Sequence, residues 1–356
     1  LRSSVTPLAR WRMRRLLFLL GVVAFLLGYV HGQIVDVSTE NDLQTAFNSA
    51  TSGTVIRLAA GTYPLTATLS LPDSTEITVQ ALDPNNKPVL DGGNARRHFD
   101  TLGVINDGIL ALNNLVLQNG NEAAGMGGSI NSQGHGQLQV DGCEFRNNQA
   151  DQGGAIAHDT QTSGTTAGFV RNSVFSNNTA FDGVSSTGAG GAIHYLHTSF
   201  FPATFAISGN TFENNQAPNG YGGAIYVSDT ENSAQELETI SLRNNVFDSN
   251  SAGENGGAIM MFLSFPTGLS NVVTVDHQNV FTNSTGSFCP SVYIESTGSQ
   301  ANLLCFGEFL IDTACCSAGF GLSMCTDAGA NSMCTAPPPS PPPPTSSSDG
   351  GGSSSG

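Results

Sequence analysis

Residues 145–156 read Phe-Arg-Asn-Asn-Gln-Ala-Asp-Gln-Gly-Gly-Ala-Ile, and much of the chain repeats that statement. Reduced to Phe-x-x-Asn-x-Ala followed by Gly-Gly-Ala-Ile, the block is keyed by Phe145, Phe175, Phe212, Phe247 and Phe281. The Gly-Gly tetrads begin at Gly127, Gly153, Gly190, Gly222 and Gly256. The phenylalanines stand 30, 37, 35 and 34 residues apart. A small fixed motif with variable filler, at a period of roughly 20–50 residues, marks an architecture of stacked coils.

Stacking explains the choice of residues. Coils about 4.8 Å apart place like upon like, so Phe at one inward position predicts a continuous aromatic stack. Two asparagine columns follow it: Asn147, Asn177, Asn214 and Asn283, then Asn148, Asn178, Asn215 and Asn250. Stacked side-chain amides are expected to bond along the axis. The alanines Ala150, Ala180, Ala217 and Ala252 fit a tight corner, and each double glycine permits positive φ or close backbone approach.

Composition agrees. The 356 residues include 42 Gly and one Trp, with only 11% charged, which suits short strands and turns better than amphipathic helices. All five cations before Gln33 lie in the leader, leaving seven Lys and Arg against 28 carboxylates. Such a surface excludes nucleic acid and anionic membrane as partners. Calcium is the one cofactor that the acidic balance leaves open.

Met13, Arg14 and Arg15 precede an apolar run from Leu16 to Val30 and then His31-Gly32, the layout of a secretory signal cut near Gly32. A helix of that run spans about 22 Å, short of a bilayer core of ~30 Å. The alternative is an uncleaved signal anchor, the only route by which this chain would meet a membrane. Export suits the cysteines: Cys289, Cys305, Cys315, Cys316, Cys325 and Cys334 crowd near the C-terminus and match no zinc spacing, so disulfides are expected, with the pairing open. Cys143 stands apart and reads as a small buried hydrophobe.

Residues 39–52 place Leu43, Ala46, Phe47 and Ala50 on one helical face, with Thr39 and Asp42 as a capping pair and Gly53 as the stop. Strand-sized apolar runs follow, bounded by Gly, Pro, Asn or Asp. The passage from Leu43, Ala46, Ile56, Leu58, Gly61 and Tyr63 to Leu90-Asp91-Gly92-Gly93 resembles the start of right-handed parallel β-helix proteins of the pectin-lyase-like superfamily. The tandem Gly-Gly-Ala-Ile and Phe-x-x-Asn blocks resemble the repeats of the polymorphic outer-membrane protein family, without that family's C-terminal barrel.

The expected fold is therefore all-β: a single right-handed parallel β-helix solenoid with an N-terminal capping helix and a disulfide-rich C-terminal cap. Its segments are a signal peptide over 1–32, the β-helix over 33–288, the Cys-rich cap over 289–334 and a Pro/Ser/Gly linker over 335–356. The linker resembles spacers of hydroxyproline-rich wall glycoproteins. Two sequons occur, at Asn283 and at Asn177, and Asn283 is preferred because Asn177 falls in an expected ladder column.

Function rests on the outward residues. If each tetrad Ile points inward, one outward column reads Asn131, Ala157, His194, Tyr226, Met260 and the next Gln133, Asp159, Leu196, Ser228, Phe262. An inverting glycosidase needs two carboxyls roughly 6.5–9.5 Å apart, and these columns offer Asp159 alone. Gly134-His135-Gly136 matches the tripeptide carrying the histidine of polygalacturonase-like hydrolases, without their acidic pair. His158-Asp159 and His194-x-x-His197 lack a third ligand, so no metal site is assigned. The loop acids Asp182, Asp229, Glu231, Glu236 and Glu238 are the remaining source of a catalytic cluster. Asp159, His194, Tyr226 and Phe262 form the expected binding strip. The first reading is a secreted or wall-associated, non-catalytic protein binding a polysaccharide or glycoprotein. The alternative is a lyase, hydrolase or epimerase acting on an acidic glycan.

Overall fold

The computed structural model describes residues 32–101, 108–133, 136–160, 166–181, 188–197, 203–229, 239–263, 272–276, 279–287, 291–296, 302–306 and 314–316. The leader, His135, Asp182, Glu231, Glu236, Glu238, Cys289, Cys325, Cys334 and the linker lie outside them, as do the side chains of Asp229, Cys305, Cys315 and Cys316. Among the described residues the strands form four parallel sheets of ten, eight, five and nine strands. One turn runs through Gln137–Asp141 in the ten-stranded sheet, Glu144–Arg146 in the eight-stranded, Gln149–Gln152 in the five-stranded and Ile156–Thr160 in the nine-stranded. The chain then returns to the first sheet at Thr166–Arg171, beside the strand it left. This is a parallel β-helix, its rungs one polypeptide turn each.

Three corners per rung are made by single residues in the left-handed region. The first carries Gly142, Asn172, Gly209 and Asn244, and the second Asn147, Asn177, Asn214, Ser249 and Asn283, all with φ between 51° and 67°. Asparagine tolerates this conformation better than other residues with a Cβ. The third corner is the double glycine, and its two members serve different ends. Gly190 has φ +66°, and a Cβ there would lie 2.1 Å from the Ile193 carbonyl oxygen; a Cβ on Gly191 would lie 2.1 Å from the Gly223 carbonyl oxygen of the next rung. One glycine turns the chain and the other lets two rungs touch.

Inside, Phe145, Phe175, Phe212, Phe247 and Phe281 stack with ring centroids 4.7–4.9 Å apart and planes within 12°. Each such pair adds about 0.5–1.5 kcal/mol beyond the area it buries. Towards the N-terminus the same column continues as Leu117, Leu90 and Tyr63. The tetrad isoleucines Ile130, Ile156, Ile193, Ile225 and Ile259 are fully buried, as the sequence pattern requires.

The asparagine columns behave differently from expectation. Asn147, Asn177, Asn214 and Asn283 form no ladder; they are the left-handed corner. The ladder is the next column alone. Asn148 Nδ2 donates to Asn178 Oδ1 at 3.0 Å, Asn178 to Asn215 at 2.9 Å and Asn215 to Asn250 at 3.0 Å. Each Nδ2 also reaches back to a carbonyl of the preceding rung, and each Oδ1 accepts a backbone N–H from it, as Asn215 does from Asn178. A second ladder, unforeseen from sequence, lies across the Phe stack: Asn210 to Asn245 at 3.1 Å and Asn245 to Asn279 at 2.9 Å, headed by Ser173 and Cys143. Buried polar groups are tolerable only when satisfied, and here every amide valence is used in the middle of each row.

The helix, α1, spans Glu40–Asn48, shorter than the expected 39–52. Thr39 caps its start through the Asp42 N–H at 3.2 Å. It ends at Ser49 because that hydroxyl turns back to the Thr45 carbonyl at 2.7 Å and Thr54 closes a turn onto Thr51. Gly53, the expected stop, belongs to that following turn. Leu43, Ala46 and Phe47 are buried at the N-terminal end of the core, with Phe47 against Phe99 at 5.8 Å between ring centroids.

A buried histidine, His98, closes the early rungs. Its Nε2 lies 3.1 Å from the Leu90 carbonyl and 3.0 Å from that of Gln118, so this nitrogen carries the proton. Nδ1 then accepts from the Ser129 hydroxyl at 2.9 Å. Burial holds the ring neutral, with its pKa pushed down to about 4.

Candidate functional site: the outer face of the nine-stranded sheet

Strand register places the outward residues as the alternation predicts. Asp100, Asn131, Ala157, His194, Tyr226, Met260 and Tyr293 form one column, and Gln133, Asp159, Leu196, Ser228 and Phe262 the next. His158 points the other way, with Nδ1 3.0 Å from the Ser132 hydroxyl and its ring beside Tyr195 and Phe205 in the core. The chain neighbours His158 and Asp159 therefore face opposite sides of one strand. Burial also depresses the His158 pKa to about 4, against the opposing bond to Ser132.

The expected exposed strip is not fully exposed. Asp159, His194 and Met260 each keep 4% or less of their surface in contact with solvent, whereas Tyr226 and Phe262 are half-buried. Alternation decides only that a side chain leaves the solenoid interior, not that it reaches water. His194 is neutral for the same reason as the interior histidines: desolvation lowers its pKa to about 4.

Four of these residues belong to a small apolar cluster separate from the main core. Met260 and Tyr293 are buried in it, and Tyr221, Tyr226 and Phe262 pack against them. His194 lies 5.3 Å from Tyr226 and Tyr221 lies 6.3 Å from it, between ring centroids, with planes tilted by 43° and 38°. Such tilted packing suits rings whose edges meet neighbouring faces. Sequence reasoning overlooked Tyr221 and Tyr293. Tyr293 was open to discovery by extending the outward column one rung past Met260, and Tyr221 by its position just before a Gly-Gly corner.

Among the described residues, no second carboxylate stands in the outward columns beside Asp159 on the neighbouring rungs, which carry Asn131 and Gln133 on one side and His194 and Leu196 on the other. The nearest outward carboxylate by register is Asp100, two rungs and one column away, which strand geometry places about 12 Å distant. Asp100 is held by Arg97 at 3.2 Å and by Asn131 Nδ2 at 3.3 Å, and Arg97 also pairs with Glu122 at 2.9 Å. Arg97 thus neutralises Asp100 and Glu122 on one guanidinium, and Asp159 lies farther from Asp100 than the ~5–9.5 Å separations used in glycoside hydrolysis. Among the described residues no three His, Cys, Asp or Glu converge to hold a metal ion. Asp141 and Arg171, from the row before each Phe, make an exposed surface pair at 2.9 Å, worth little. No helix among the described residues is long and apolar enough to cross a membrane.

The family model for the Chlamydia polymorphic membrane protein repeat matches residues 172–195 and 211–228. Each matched stretch begins at or just after the first corner and carries its Phe, ladder Asn, double glycine and inward Ile through to the nine-stranded sheet, so the likeness follows the rung itself. No curated protein and no solved structure matches the chain.

Proposed function

We propose that this protein is an exported, surface- or wall-associated β-helix that binds glycans without catalysis, through the aromatic strip on the outer face of its nine-stranded sheet. The observation that carries this reading is the second apolar cluster. Tyr221, Tyr226 and Phe262 are half-buried outside the solenoid, where an isolated core residue has no reason to be. Aromatic faces rimmed by polar groups suit the apolar face of a sugar ring. The likeness to polymorphic membrane protein repeats supports a surface setting, and the basic-then-apolar leader supports export. In this reading α1 caps the N-terminal end, the distal cysteines staple the other, and the Pro-rich segment is a tether. The pectin-lyase-like resemblance of residues 43–93 extends to fold and not to activity.

The test is to pass the full chain over immobilised neutral and uronate polysaccharides, with and without calcium, and to assay the same mixtures for new reducing ends and unsaturated uronides. Retention on one glycan that Tyr226→Ala abolishes supports the reading. New ends or unsaturated product would overturn it in favour of a carbohydrate-active enzyme.

A further inference from the structure

Adjacent asparagines in this fold have opposite fates, and the difference identifies a modification site. We infer that Asn177 is an acceptor for an N-linked glycan, carried on the corner between the eight-stranded and five-stranded sheets; the inference rests on the export reading above. Asn177-Asn178-Thr179 is a sequon whose first member is exposed, at φ +55°, with its side chain outside the solenoid. Its neighbour Asn178 is fully buried, and its amide is spent on Asn148, Asn215 and the Phe145 carbonyl. The amide that a transferase would modify is thus the one that the ladder does not use. The same corner carries Asn147 and Asn214, but Gln149 and Gln216 stand two residues on, so neither is a sequon.

Asn283 is the internal comparison. It shares the corner column and has a sequon, yet its Nδ2 donates to Asp248 Oδ1 at 3.0 Å, an oxygen that also accepts from Thr282 at 2.6 Å. Those two bonds hold the Asp248 carboxyl below its usual range. A sugar on Asn283 competes with that arrangement, whereas one on Asn177 displaces none. The structure therefore reverses the preference between the two sites. In the transfer, Asn177 Nδ2 attacks the anomeric carbon of an oligosaccharide linked to a polyisoprenyl pyrophosphate. The C–N bond forms, the C–O bond to pyrophosphate breaks, one amide proton is lost and the lipid pyrophosphate leaves.

The experiment secretes the full chain from eukaryotic cells behind its own leader and, in parallel, behind a proven foreign leader. The product is treated with an N-glycan amidase in heavy-oxygen water, and its peptides are mapped by mass. The expected result is heavy-oxygen label at position 177, with Asn177→Gln and Thr179→Ala each lowering the mass by one glycan. An unlabelled position 177 in secreted protein overturns the inference. Label that appears only behind the foreign leader upholds the acceptor site and sinks the export reading instead.

Discussion

The inner columns and the outer face of the nine-stranded sheet are built on the same rungs, but they use sequence in opposite ways. Inside, one position reads Phe145, Phe175, Phe212, Phe247, Phe281 and another Asn148, Asn178, Asn215, Asn250. Outside, one column reads Asn131, Ala157, His194, Tyr226, Met260. The inner residues repeat because each is answerable to the backbone of the rung before it, as Asn215 is to the Phe175 carbonyl at 3.0 Å. The outer residues answer only to what lies over them. Identity repeated along an axis reports the scaffold; variation on the same scaffold reports the use made of it.

Breaking an inner column should cost most. Asn215→Leu leaves the Asn178 N–H and one hydrogen of its amide without partners, takes a donor from the Phe175 carbonyl, and leaves the Asn250 Oδ1 with only the backbone N–H of residue 215, all in a dry interior. The expected loss is about 4 kcal/mol, from several buried unsatisfied groups at ~1–3 kcal/mol each, read as a lower midpoint in urea unfolding. A loss no larger than that of an exposed corner variant such as Asn147→Ser would show the ladder to be decorative.

Acid sharpens the contrast next, because histidines sit on both sides of the wall. His98 and His158 inside and His194 outside are all held neutral by burial, with pKa values near 4. The unfolded chain takes up protons below about 6.5, while the folded one does not until about 4. The contribution of the histidines is therefore complete above pH 6.5, falls as pH drops through the window from 6.5 to 4 and levels off below it. The expected fall is on the order of 3 kcal/mol for each histidine. Urea midpoints measured across that window should decline, and each His→Gln variant should make the decline shallower. An equal effect of His194 and His158 would mean that the outer face is as dry as the core.

Gly191→Ala tests the contact between rungs. Its Cβ meets backbone of the neighbouring rung, which cannot rotate aside, so a loss of about 2–3 kcal/mol is expected by thermal unfolding. The smallest effect on stability belongs to the outer strip. Tyr226→Ser should cost about 1 kcal/mol or less, since its ring is half-buried, yet remove retention on the glycan that the wild-type chain binds.

Much of the scaffold was legible because the repeated residues report their own period. The Phe stack, the inward Ile column and both uses of the double glycine follow from spacing and elementary geometry; Ala150, Ala180, Ala217 and Ala252, expected at a tight corner, are instead buried strand residues of the five-stranded sheet. The Asn pair was harder, since Asn147-Asn148, Asn177-Asn178 and Asn214-Asn215 are identical in type. Each column loses its asparagine once, at Ser249 and at Ser284, so the pattern is symmetrical between ladder and corner. The second ladder was readable two residues before each Phe, where Ser173, Asn210, Asn245 and Asn279 align. Burial of Asp159 and His194 was not readable, because period-two alternation gives direction alone. The aromatic cluster was half legible: Tyr226 and Phe262 fall in outward columns, but Tyr221 enters from a corner.

Both asparagine rows run the same way. Asn148 donates forward to Asn178 and Asn210 forward to Asn245, so the amides within the two rows keep Oδ1 on the N-terminal side and send one N–H towards the C-terminal end while the other turns back to the preceding rung. Aligned amides sum as peptide units do in an α-helix, whose ends carry opposite partial charge. Each row consequently has an electrical sense along the axis, electron-rich on the side of Asn148 or Asn210 and donor-rich on the side of Asn250 or Asn279.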